Sequence, residues 1–183
     1  MNQKKFCSLE LAQQLKEKGF DLTCEYIYVN RYRVKDEIQE KYPGLSDCGY
    51  DELTKKWGGE LEEDEVYGQY VDPYRECIRN SYIKPDEKMR LCTMPTLDDA
   101  RTWLRDKHFF HIVVTPEPCC YKAILMLPSK FGVVGGVHGA TAQIYNPKYL
   151  PAHEKSTSFE SYEEALQTAL LEAMRYVGKW NAV

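Results

Sequence analysis

The stretch Pro95-Thr96-Leu97-Asp98-Asp99-Ala100-Arg101-Thr102-Trp103-Leu104-Arg105-Asp106-Lys107, then Phe109-Phe110-His111-Ile112-Val113-Val114-Thr115, changes its hydrophobic period partway along. In the first part Leu97, Ala100, Trp103 and Leu104 fall at helical spacing, which predicts a helix over 97–107 with one apolar face. Thr96 stands at the cap position after Pro95, and Asp99 three residues on completes a capping box. The second part alternates, with Phe110, Ile112 and Val114 to one side and His111, Val113 and Thr115 to the other, as a strand over 109–115 would. Pro116 and Pro118 lack the amide N–H that a ladder needs and are expected to end it. A capped helix feeding directly into a half-buried strand sets the fold class as α+β.

Toward the C-terminus, residues 119–127 are apolar on both faces, as in an interior strand, and 140–145 predict a third strand. Ser161 with Glu164 reads as a second capping box, opening a helix to Val177. Its apolar face is Ala165, Leu166, Ala169, Leu170, Ala173, Met174 and Val177, and Gly178 ends it. The expected architecture is an antiparallel sheet with helices 97–107 and 161–177 packed on one face.

Toward the N-terminus, Ser8 caps a helix to Lys18, stopped by Gly19 and followed by a strand over 24–32. Short helices are expected over 34–42 and 50–57. The acidic run Glu60-Leu61-Glu62-Glu63-Asp64-Glu65 reads as a solvated loop or helix start, with a strand near 65–71. The passages beginning at Ser8 and Thr96 echo each other, which the common physics of capped amphipathic helices explains without a duplication.

The run Pro95–Lys107 and the later Phe159-Glu160-Ser161-Tyr162-Glu163-Glu164-Ala165-Leu166 together resemble a group of small proteins encoded by gut bacteria and their mobile elements. That group pairs such a Pro-Thr-Leu helix with a C-terminal Tyr…Glu-Ala-Leu helix. The resemblance covers mainly residues 95–180 and implies a genomic setting; it implies no activity.

The 183 residues are 43% hydrophobic and 28% charged, which excludes a disordered acidic tail, a collagen-like fibre and a coiled coil. A net charge of -4 argues against a basic nucleic-acid footprint, and it is too small for a mimic of duplex DNA. The longest apolar run, Ala123 to Leu127, is far short of the ~20 residues that span a bilayer. No apolar stretch follows Lys4 and Lys5 as in a secretory signal, so a soluble cytoplasmic protein is expected. Seven cysteines, an odd number and none in C-x-x-C, read mostly as buried thiols.

Charge divides the chain at residue 95. Residues 1–95 hold 19 acidic and 15 basic side chains, against nine of each in 96–183. Nine of the 14 tyrosines lie between Tyr26 and Tyr82. The reading is an acidic, tyrosine-rich first half, an elaboration of the same domain or a second one, joined to a neutral helix–three strands–helix scaffold over 96–183.

No catalytic, metal or cofactor signature stands out. In the glycine-rich loop 128–139, Lys130, Gly135, Gly136 and His138 form a candidate ligand site, although phosphate cradles lead into a helix and this loop leads toward a strand. Cys119 or Cys120 with His138 or His111 is a conceivable dyad in a small enzyme. The tyrosine excess carries more weight, because Tyr gives a large, stiff, amphipathic contact area. Tyr67, Tyr70 and Tyr74 are the candidate surface, and the expected role is a non-catalytic accessory protein that binds another protein, with a homodimer as one arrangement.

Overall fold

Thr96 does cap a helix. The computed structural model describes residues 5–33, 40, 55, 59, 61–71, 78–84, 89–128, 141–144 and 157–178. Along them run α1 (Leu9–Glu17), β1 (Tyr26–Arg33), β2 (Glu62–Tyr70), a 3-10 turn (Asn80–Tyr82) and β3 (Arg90–Thr93). Then follow α2 (Leu97–His108), β4 (His111–Glu117), β5 (Cys120–Met126), β6 (Thr141–Gln143) and α3 (Tyr162–Met174). The fold is α+β, and the chain divides into two compact units: Met1–Phe20 with Pro95–Val183, and Asp21–Met94.

In the first unit each helix begins where a side chain can satisfy its free amides. Thr96 Oγ1 accepts the N–H of Asp99 at 3.1 Å, and Asp99 Oδ2 accepts the N–H of Thr96 at 3.1 Å. Ser8 Oγ accepts the N–H of Leu11, and Ser161 Oγ accepts that of Glu164. At Ser161 the box is only half made, because the Glu164 carboxylate accepts the N–H of Glu160 instead. Helix α1 ends on Gly19, whose φ of 87° turns the chain so that Phe20 N–H donates to Leu15 O at 2.9 Å. That closure brings together Leu15 and Phe20, both fully buried.

The sheet of this unit is antiparallel in the order β4-β5-β6. Register pairs Ile112 with Leu125 and Val114 with Ala123. Ile112, Ala123 and Leu125 are buried while Val113 and Gln143 are exposed, so one face is covered. Helix α3 packs on β4 and β5, with α1 and α2 against it, and its Leu166 and Leu170 are fully enclosed. Burial of each such leucine contributes roughly 2 kcal/mol. The strand expected to stop before Pro116 continues through it to Glu117. Among the described residues strand β4 is an edge, where a residue without an N–H breaks no ladder on its open side.

The second unit holds an antiparallel sheet in the order β2-β1-β3. Ile27 and Val29 of β1 are buried with Ile78, and Val71 packs on them. The acidic run expected as a loop or helix start lies instead largely in β2. Its cross-strand setting explains this: Arg31 Nη1 lies 3.5 Å from Glu65 Oε1, and the register sets position 33, an arginine, opposite Glu62. Of the helices expected over 34–42 and 50–57, only residues 40 and 55 are described, and both are helical.

The contact boundary differs from the charge boundary in one respect. Helix α1, grouped by charge with the acidic half, belongs to the first unit, because its buried Leu11, Ala12 and Leu15 pack toward α3. Recounted by unit, Asp21–Met94 carries 17 acidic and 11 basic residues, a net of -6, and the remainder carries 11 and 13, a net of +2. All nine tyrosines from Tyr26 to Tyr82 lie in the acidic unit.

Candidate interaction surface

Strand β1 exists because Tyr26-Ile27-Tyr28-Val29 alternates aromatic and β-branched side chains, which suit a pleated surface covered on one face. Ile27 and Val29 take the core side. β2 pairs along one edge of β1, with Tyr26 opposite Tyr70, Tyr28 opposite Gly68 and Val29 opposite Tyr67. Its other edge bears no strand among the described residues. Gly68 leaves room for Met94: a Cβ there would lie 2.5 Å from Met94 Sδ, so the methionine side chain would have to shift aside.

Residues 65–70 are exposed throughout, and the aromatic ones markedly so: Tyr67 is 43% and Tyr70 55% exposed, beside Val66 at 39%. The sequence grouped Tyr67 and Tyr70 as one surface. Being three positions apart in a strand, they project from opposite faces. Tyr70 meets Tyr26 edge to face, with ring centroids 5.3 Å apart, while Tyr67 stands on the Val29 side. What joins them is the edge of the sheet, from which both are accessible. Tyr74 lies outside the described residues.

A third exposed tyrosine is fixed by a different device. Asp21 takes the N–H and hydroxyl of Ser81 on its two carboxylate oxygens at 2.7 and 2.8 Å, and Arg79 Nε donates to Thr23 Oγ1. These bonds hold the 3-10 turn, from which Tyr82 projects 62% exposed. Among the described residues, five of the seven exposed large apolar side chains belong to the acidic unit: Leu22, Val66, Tyr67, Tyr70 and Tyr82. Val66 and Tyr26 were not singled out from sequence. The alternation Val66-Tyr67-Gly68-Gln69-Tyr70 was the available signal, and the acids before it obscured the strand.

The other candidates fare differently. Lys130, Gly135, Gly136 and His138 lie outside the described residues. Cys119 sits exposed in the turn between β4 and β5, while Cys7, Cys24 and Cys92 are buried. Cys120 Sγ donates to Glu117 Oε2 at 3.7 Å, and Lys122 Nζ lies 2.8 Å from Glu117 Oε1. The hydrogen bond from Lys122 holds the Glu117 carboxyl below the usual range, and that bond raises Lys122 in turn. His111 is not a base for these thiols. It begins β4 while Glu117 and Cys120 close the opposite end of the hairpin, six positions or about 20 Å along the strand. Among the described residues no three His, Cys, Asp or Glu side chains are grouped to hold a metal, and no helix is long and apolar enough to cross a membrane.

Comparison with protein-family models, with curated proteins and with solved structures found no match.

Proposed function

We propose that this is a non-catalytic cytoplasmic protein that binds another protein through the acidic unit Asp21–Met94, with the rest of the chain as its carrier. The observation that supports this reading is the concentration of exposed Val66, Tyr67, Tyr70 and Tyr82 in a unit of net charge -6. Isolated apolar residues on a surface are ordinary, but aromatic side chains held in fixed positions at a sheet edge are the kind that interfaces favour. The resemblance of residues 95–180 to small proteins of mobile elements suits an accessory role of this kind.

The test is affinity capture from the native host's lysate with the intact protein and with the double variant Tyr67→Ser/Tyr70→Ser, melting curves confirming that both are folded. A protein retained by the former and lost by the latter is the expected result. Identical captures from the two would remove the basis of the reading.

A further inference from the structure

The open edge of β2 combines three properties that together describe a partner. Among the described residues it is a free sheet edge: β2 is terminal in its sheet, and residues 65–70 are all exposed. Such an edge presents backbone donors and acceptors that an added strand can satisfy. Its regular part is Val66–Tyr70, which stays in unbroken register with β1; the irregularity between Asn30 and Tyr32 falls beside the acidic residues. Finally, the strand is strongly graded along its length. Glu62, Glu63, Asp64 and Glu65 occupy its first four positions, and Val66, Tyr67 and Tyr70 its second half.

Acids on an edge strand oppose the approach of a like-charged strand. A second copy of this unit, also at -6, is therefore disfavoured, and the same charges attract a basic one. Antiparallel addition is the more stable pairing, and it lays the C-terminal end of the incoming segment beside the N-terminal end of β2. We infer that β2 accepts an extended peptide segment of a partner by antiparallel strand addition along Val66–Tyr70, with apolar residues first and lysines or arginines after them, beside Glu62–Glu65. This rests on the protein-binding reading above and specifies its mode and the partner's chemistry.

The probe is a dye-labelled peptide of six alternating Thr and Val residues followed by four lysines, titrated by fluorescence anisotropy into the full-length protein. Three comparisons accompany it: the same peptide ending in four glutamates, and two lysine peptides N-methylated at the odd or at the even positions of the Thr/Val segment. In an added strand only alternate N–H groups face the sheet. One methylation phase is therefore expected to weaken binding at least tenfold and the other to leave it nearly unchanged. The glutamate peptide is expected to bind at least tenfold more weakly, and Glu62→Lys/Glu63→Lys/Asp64→Lys to reverse that preference.

Equal binding of both methylated peptides would show charge attraction alone and overturn strand addition. Absence of binding by the lysine peptide would overturn the proposed segment. Concentration-dependent dimerisation in sedimentation, abolished by Val66→Lys, would give the edge to a second copy and also overturn it. None of these three outcomes touches the lysate capture with Tyr67→Ser/Tyr70→Ser, so the broader reading stands or falls separately.

Discussion

Thr93 is completely buried, and its backbone N–H donates to Asn80 Oδ1 at 2.9 Å, yet its hydroxyl oxygen has no hydrogen-bond partner among the described residues. A buried polar atom without a partner costs about 1–3 kcal/mol, whereas a methyl group of the same shape costs nothing. Thr93→Val should therefore raise the unfolding free energy by about 1 kcal/mol, read by urea denaturation. His108 presents a second orphan. Its Nε2 is shut from solvent without a partner among the described residues, and its ring packs against Trp103 and Phe110 at centroid distances of 4.6 and 5.9 Å. Burial pushes its pKa below the ordinary value of about 6.5, although a helix C-terminus favours a cation. The folded state thus prefers the neutral ring. Its contribution is complete above the unfolded pKa and is lost as pH falls from there through the folded value. Melting temperatures between pH 7.5 and 5 should fall more steeply for the native chain than for His108→Phe. Neither orphan was legible beforehand, because a sequence names polar atoms without naming their partners.

Helix starts were legible because a cap is a local contract between residues three apart. Thr96, Ser8 and Ser161 all cap as their spacing requires. Thr96→Ala is expected to cost about 1 kcal/mol, measured by thermal or urea unfolding. It should cost more than Ser161→Ala, since only at Thr96 does the acid three residues on return the bond to the cap's own N–H. Strands were harder to read where their stability comes from across the sheet. The acids of β2 are set against Arg31 and position 33, and Pro116 is tolerated because β4 is an edge. Neither fact exists in a window of ten residues. The candidate surface shows the same divide: the tyrosine excess was plain, but the faces taken by Tyr67 and Tyr70 waited on the pairing with β1.

At the scale of the chain, the acidic unit is an insertion between Phe20 and Pro95. The first unit encloses Leu11, Leu15, Phe20, Leu104, Leu125, Leu166 and Leu170. Within the insert β1 and β3 run antiparallel, and Met94 N–H at its C-terminal end donates to Tyr26 O at 2.8 Å. Replacing 21–94 by a short Gly/Ser linker should leave a chain that melts cooperatively and retains its helical circular dichroism, but captures no partner. A non-cooperative melt would show that the carrier depends on the insert. Composition hinted at this division but set it at 95, because charge is summed along the chain while packing is settled in space.

An insert that carries its own sheet is also a unit of inheritance. It can be gained, lost or exchanged in a single recombination event as one contiguous stretch. Two selective pressures then act on separate stretches of one gene. On the proposed reading, residues 21–94 answer to the partner and the remainder answers chiefly to folding. Substitutions in natural variants should accumulate along that seam, fast inside it and slowly outside.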